Sequence, residues 1–248
     1  RLVSKSYRFG MYRKPRIDFE MLKQHHEGLI VSTACCAGLP GFFSSQFEKD
    51  EEVFEGYNKD LLPLMELFGK DRFFLELQFN KLPIQQTINR HLIEYAKRTN
   101  YNLIVTADSH YPSPDMWRDR EIYRLLGYQM QKKNPDLSVL DKTIDELECE
   151  LYLKNGDQIF QTYKQTFGKQ FTDDKLIIEA IERTWDIAHN FIEDVHPDDT
   201  IKLPKTFQVS DKIKTPFDQL KAYCLEGLKK KGLISQEYID QTAYELKV

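Results

Sequence analysis

The sequence lacks every feature that would place it in a membrane, a secreted scaffold or a disordered tail. It has no apolar run approaching the roughly 20 residues that a membrane-crossing helix needs. Its 4 cysteines, without zinc-finger spacing, exclude a disulfide-stapled fold and predict reducing, cytoplasmic surroundings. Only 11 glycines and 10 prolines in 248 residues exclude a fibre or a low-complexity chain. Excess positive charge is absent as well. At a net −4, nucleic-acid contact has to come from a local patch and not from the overall field. No charged–apolar–small leader opens the chain, and its first residue is Arg1, not Met, which predicts an internal segment of a longer protein.

Several chemical signatures are missing too. There is no Gly-rich phosphate loop, no Gly-x-Ser-x-Gly elbow and no His-Glu-x-x-His helix. No aspartates on neighbouring predicted strands form a two-metal polymerase centre. What remains is ordinary globular material, 41% apolar and 30% charged, enough for one barrel-sized domain or one domain and the start of another.

Apolar periodicity predicts alternating helices and strands. Asp18 caps a helix over 17–27 that stops at Gly28, and Leu29–Thr33 reads as a buried strand leading into Ala34-Cys35-Cys36-Ala37-Gly38. An acidic helix over 48–69 ends at Gly69, a second strand covers Arg72–Gln78, and a helix over 83–98 starts at Pro83. Leu103–Asp108 is a third strand and Glu150–Lys154 a fourth, with helices over 156–167 and 173–193. Strand–helix alternation at this spacing means parallel βα units, whose chemistry gathers at the carboxyl ends of the strands. Beyond Leu203 the texture becomes extended and Lys/Asp-rich. Helical patterning resumes from Phe217, with Leu220, Tyr223, Cys224 and Leu228 on one face and Lys229–Lys231 at a basic end.

The residues with chemical potential fall at the predicted strand ends. Asp108 and His110 lie two apart, so both can face one way and share a divalent ion such as Zn²⁺ or Mn²⁺; the bland alternative is local capping. Cys35 or Cys36 can supply a thiolate ligand or simply pack. Glu76 alternates with Leu75 and Leu77 and so shares a face with Phe74 and Gln78, as a partner behind a metal ligand or in a structural hydrogen bond. His25 and His26 read as protonated caps at a helix end. His91, His189 and His196 have no recognisable partners and receive no role. Arg1, Lys5, Arg8, Arg13, Lys14 and Arg16 stand without an acid and are interleaved with Tyr7, Phe9 and Tyr12. That pattern suits phosphate contact, with Arg8, Arg13, Lys14 and Arg16 as the candidates, although a solvated connecting helix explains it too.

Four segments together resemble one family. Phe9-Gly-Met-Tyr-Arg-Lys-Pro-Arg-Ile-Asp18, His26-Glu-Gly-Leu-Ile-Val-Ser-Thr-Ala-Cys35 with Ala37-Gly38, Phe68-Gly-Lys-Asp-Arg-Phe-Phe-Leu-Glu-Leu-Gln78 and Val105-Thr-Ala-Asp-Ser-His-Tyr111 resemble the PHP (polymerase and histidinol phosphatase) domain of bacterial DNA polymerase III alpha subunits. Leu151-Tyr-Leu-Lys154 and Lys202-Leu-Pro-Lys205 resemble two later landmarks. The likeness covers most of Arg1 to Phe207 and, more weakly, the helical tail.

The resemblance implies an α/β fold, part of a distorted (β/α)7 barrel over 1–205, followed over 206–248 by a linker and helices leading toward a polymerase core. It implies a cluster of divalent metals at the strand ends, with Asp108 and His110 in the final Asp-x-His motif and Cys35 at the sulfur position. Cys36 stands where the family carries an apolar residue. The family's opening His-x-His strand and several other ligands have no counterpart in this sequence, and Leu39 replaces a usual glutamate after Gly38. The departures over Trp117–Asp141 suit a phage-borne member. The implied role is replicative: a structural or metal-dependent 3′–5′ exonuclease module, Mg²⁺ at the polymerase core, and DNA, a proofreading subunit or a sliding clamp as partners, with no membrane. A stand-alone PHP phosphoesterase and a metal-free structural module are the alternatives.

Overall fold

The computed structural model describes residues 1–131, 133–134, 136–191, 198–201 and 213–247. The chain divides into two compact units, Arg1–Glu193 and Asp194–Val248. The expected boundary at 205/206, the Lys202–Lys205 landmark and His196 lie outside the described residues.

The first unit opens with α1 (Leu2–Phe9), a tight antiparallel hairpin of β1 (Met11–Tyr12) and β2 (Lys14–Pro15), and α2 (Phe19–Lys23). A single connecting helix over the basic segment is therefore corrected: Gly10 ends it and the chain doubles back. Asp18 caps α2 as expected, accepting from the Met21 N–H at 2.7 Å, but the helix stops at Lys23, short of Gly28. Next comes β3 (Val31–Ser32), then α3 (Leu39–Gln46), which the sequence did not announce. The acidic helix expected over 48–69 is present as α4 (Asp50–Gly56), a π-helical turn at Tyr57–Leu61 and α5 (Leu62–Phe68), closed by Gly69 at φ 74°.

The strand β4 (Phe73–Gln78), the long α6 (Pro83–Thr99) and β5 (Asn102–Thr106) complete a parallel sheet in the order β3-β4-β5. Register pairs Ser32 with Phe74, Glu76 with Ile104 and Gln78 with Thr106. After β5 come α7 (Trp117–Met130), also unannounced, then α8 (Gly156–Thr166) and α9 (Asp174–Asp186). The fourth strand expected over Glu150–Lys154 is corrected to one parallel bridge between Tyr111 and Tyr152. Among the described residues the main sheet has three strands.

All six residues of β4 are buried, and their alternation sets the design of the unit. Phe73, Leu75 and Leu77 join the apolar core with Leu61 and Met65 below and Leu92 of α6. Each such side chain contributes roughly 1.5–3 kcal/mol on burial. Phe74, Glu76 and Gln78 face the other way, so one face of the sheet is greasy and the other carries polar groups. The second unit contains α10 (Pro216–Lys230) and α11 (Gln236–Glu245), with Thr215 and Asp218 forming a capping box at the start of α10. No helix among the described residues is long and apolar enough to cross a membrane.

Candidate functional site

Parallel pairing brings the carboxyl ends of β3, β4 and β5 to one edge, and both loops that leave β3 and β5 there are strained. Ala34 after β3 has φ 60° and Asp108 after β5 has φ 48°, left-handed values that cost a non-glycine residue about 1 kcal/mol or more. The Cys35–Cys36 turn is wound tightly onto the start of α3. The Gly38 N–H donates to the Cys35 carbonyl at 2.9 Å, and a Cβ at Gly41 would lie 1.9 Å from the Cys36 carbonyl oxygen. That close approach requires glycine at 41, as does the 2.4 Å at which a Cβ on Gly38 would meet the Thr33 carbonyl oxygen.

Behind these loops Glu76 is a hub. It is only 7% exposed, and hydroxyls from both neighbouring strands reach it: Ser32 Oγ donates to Oε2 and Thr106 Oγ1 to Oε1 at 2.5 Å. Gln78 Nε2 donates to Oε1 at 3.1 Å, and the Glu76 N–H donates to Thr33 Oγ1 at 2.8 Å. A buried carboxylate is tolerable only with such a donor set.

Asp108 and His110 come together in the loop beyond β5, which ends at Thr106 and not at Asp108 as the sequence suggests. His110 Nε2 lies 3.3 Å from Asp108 Oδ1, with the two side chains 44% and 40% exposed. Their loop is fixed from the side by the Leu151–Lys154 landmark. The His110 N–H donates to the Leu151 carbonyl at 2.7 Å, the Leu153 N–H donates to the Tyr111 carbonyl at 3.0 Å, and the Leu151 N–H donates to the Tyr111 hydroxyl at 3.1 Å. That landmark is anchored to the β4 end in turn, because the Lys81 N–H donates to the Glu148 carbonyl at 2.8 Å and its ammonium pairs with Glu150 at 3.8 Å.

The donor set fits a divalent cation in part. Zinc–nitrogen and zinc–oxygen distances of about 2.0–2.2 Å with tetrahedral angles put adjacent ligand atoms roughly 3.4 Å apart. The 3.3 Å between Asp108 Oδ1 and His110 Nε2 matches that edge. Among the described residues, however, no three His, Cys, Asp or Glu side chains are placed to hold a metal together. Cys35 is half-buried and Cys36 exposed, and neither is hydrogen-bonded to Asp108 or His110.

Cys149, which the sequence analysis passed over, belongs to the same neighbourhood. Burial above all, then the charges of Glu148, Cys36 and Asp108, push its thiol up to about 11. Burial likewise raises Cys36, with Cys35 and Asp108 adding to it. Cys149 stands two residues before Leu151–Lys154, and that landmark was its one signal in the sequence.

Two histidine readings are corrected. His91 is buried and does have partners: Nδ1 lies 2.9 Å from Ser44 Oγ and Nε2 lies 3.2 Å from Asp50 Oδ1. Arg90 grips the same carboxylate through two nitrogens at 2.6 and 3.0 Å. This network ties α3 and the start of α4 to α6. His26 does cap a helix end, with Nδ1 2.7 Å from the Lys23 carbonyl oxygen. His25 does not behave as a protonated cap, because desolvation, then Lys5 and Arg1, lower its pKa and its Nε2 is buried without a partner.

Comparison with known proteins agrees with this architecture. Residues 1–80 match the PHP domain family. The whole chain aligns with the DNA polymerase III subunit alpha of Aquifex aeolicus (strain VF5), 30% identical over 260 residues and covering 20% of that protein. The same subunit of Borreliella burgdorferi aligns with all of the chain at 26% identity, again with 20% of the relative covered. That of Treponema pallidum (strain Nichols) is 35% identical over 162 residues, 65% of this chain and 13% of the relative. The chain thus spans about a fifth or less of the length of these relatives. It is similar along its whole length to bacterial DNA polymerase III alpha subunits, and its first 80 residues match the PHP domain family.

Proposed function

We propose that this chain is the PHP region of a replicative DNA polymerase alpha subunit and that Asp108 and His110, with Cys35 as the third donor, hold a divalent metal for phosphodiester hydrolysis. The observation that carries this reading is the carboxylate–imidazole pair, 3.3 Å apart on a strained strand-end loop that Leu151 and Tyr111 hold in place. A bound Zn²⁺ or Mn²⁺ would supply Lewis-acid polarisation of a phosphoryl oxygen. Asp108 and His110 orient one another, Glu76 fixes the strands that present them, and the exposure of both side chains leaves room for a phosphate chain. In the longer protein the domain would complete a distorted barrel beside an Mg²⁺-dependent polymerase core. It would work in the cytoplasm on DNA, alongside a proofreading subunit or sliding clamp.

The test is metal content. The purified chain loaded with Zn²⁺ or Mn²⁺ and desalted should retain metal at a stoichiometric level by mass spectrometry, and D108A/H110A should lose it with an unchanged circular dichroism spectrum. Well-folded protein that retains no metal would remove the catalytic reading. A metal-free structural module is the second reading, favoured by the lack of a third convergent ligand among the described residues. It predicts that D108A/H110A changes neither metal content nor phosphodiesterase activity.

A further inference from the structure

The basic segment at the start of the chain folds into α1 and the β1–β2 hairpin. Six cations and no acid occur before Asp18. Gly10 closes the β1–β2 hairpin: its N–H donates to the Ser6 carbonyl at 3.0 Å, and its own carbonyl accepts from the Arg16 N–H at 3.1 Å. A Cβ at Gly10 would lie 1.9 Å from the Arg16 carbonyl oxygen, so only glycine allows this closure. Register pairs Met11 with Pro15 and Tyr12 with Lys14, leaving Arg13 alone at the tip with φ 62°.

The side chains then form a stack of cations on rings. The guanidinium carbons of Arg16 and Arg13 lie 4.6 and 5.9 Å from the Tyr12 ring centroid, and that of Arg8 lies 5.2 Å from the Phe9 ring. Tyr12 is 63% and Phe9 67% exposed. Among the described residues none of Arg8, Arg13, Lys14 and Arg16 forms an ion pair, and the first acid, Asp18, is engaged in capping α2. Unpaired guanidinium groups beside exposed rings are the two elements that bind a single strand: cations for phosphates and π-faces for unstacked bases. A duplex offers no free base faces, and an acidic peptide or anionic lipid has none at all.

We propose that the Gly10-closed hairpin is a docking surface for single-stranded nucleic acid, with Arg8, Arg13 and Arg16 on phosphates and Tyr12 as the stacking platform. The surface is independent of the metal reading, since none of its residues belongs to the strand-end site.

The probe is a fluorescein-labelled dT20 oligonucleotide titrated with the 248-residue chain by fluorescence anisotropy. If each of the three arginines meets one phosphate, wild type should lose roughly 20-fold more affinity than R8Q/R13Q/R16Q between 50 and 200 mM salt, from a slope of about 0.7 per phosphate. Y12A should weaken binding at least about 5-fold without changing the salt slope. G10A keeps every charge and should weaken binding by opening the hairpin. K229Q/K230Q/K231Q, which removes the other run of cations, should leave binding unchanged. Circular dichroism melts establish that each variant is folded. Equal binding by wild type and the arginine triple variant, an unaffected Y12A, an unaffected G10A, or a loss in the lysine variant as large as in the arginine variant would each overturn the proposal. So would equal displacement of the probe by polyglutamate at matched charge.

Discussion

Glu76 offers the sharpest test of how the sheet supports its strand-end loops. Glu76→Ala removes the acceptor for three donors, Ser32 Oγ, Thr106 Oγ1 and Gln78 Nε2, all in a region where the carboxylate is 7% exposed. Each buried donor left unpaired costs about 1–3 kcal/mol. Gln78 Nε2 also lies 3.3 Å from Thr106 Oγ1, so those two groups partly satisfy each other and the loss falls mostly on Ser32 and on the cavity left behind. The expected destabilisation is about 3–5 kcal/mol, a large share of the 5–15 kcal/mol that holds a typical domain. Glu76→Gln keeps the shape and one carbonyl oxygen, and the Ser32 hydroxyl can turn to accept from the new amide. Its cost should be about 1 kcal/mol, the loss of charge assistance alone. Urea unfolding followed by circular dichroism measures both variants. An alanine variant within 1 kcal/mol of wild type, or a glutamine variant as unstable as the alanine one, would refute the account of Glu76 as a hydrogen-bond hub.

Two further predictions concern the helices. Arg90 above all, with His91, holds the Asp50 carboxyl down to about 2 from an ordinary 3.8, so its contribution is complete above pH 3.8 and is lost as pH falls toward 2. With the side chain 39% exposed, solvent screening reduces the nominal value to about 1 kcal/mol, and D50N should flatten that part of an acid-stability curve. Burial lowers His91 from 6.5, a shift of the same sign whose loss begins earlier, as pH drops below 6.5, and persists in D50N. Gly56→Ala and Gly127→Ala should move thermal stability in opposite directions. A Cβ at 56 would lie 2.3 Å from the Phe43 ring, an overpacking cost of about 1–3 kcal/mol, whereas nothing lies within 4 Å at 127, where alanine gains up to about 1 kcal/mol of helix propensity.

The parts of the fold that were legible in the sequence are those with local causes. Pro83 opens α6, Asp18 caps α2, Gly69 closes α5, and the β-branched and aromatic runs mark the three strands. Helix α3 escaped notice because Leu-Pro-Gly-Phe-Phe-Ser-Ser-Gln has poor intrinsic propensity; it is held by tertiary contacts, including Ser44 on His91 and the Gly41–Cys36 approach. The Glu150–Lys154 strand failed for the reverse reason. Its apolar alternation is real, but the Leu151 carbonyl accepts from both His110 and Tyr111 N–H groups, so the segment clamps a loop and does not extend the sheet. Within the candidate site, Asp108 and His110 were readable as neighbours because they are two residues apart, although the expected extended strand stops at Thr106 and the left-handed turn at Asp108 brings them together. Cys149 was not, because its place depends on where the chain returns after α7.

That return explains how stability and chemistry are kept apart in this unit. The core sits on the Phe73–Leu75–Leu77 face of β4, where α5 and α6 bury it, and its polar atoms are confined to the hydroxyls of Tyr57, Tyr95 and Tyr163, which bond to Ser44, Asn58 and Asp174. The opposite face carries Ser32, Glu76, Gln78 and Thr106, and the loops beyond it carry Ala34 and Asp108 in left-handed conformations. Strain of that kind persists only where surrounding contacts over-determine it. For Asp108 those contacts are the backbone hydrogen bonds from His110 and Tyr111 to Leu151, and Lys81 binds the same segment to the end of β4. The Asp108–His110 pair is therefore not a property of its own strand alone. Cutting the chain before Leu151 would take away that support for the 3.3 Å separation, and with it the part of the core that Tyr163, Phe167, Ile177 and Ala180 supply from α8, α9 and the loop between them.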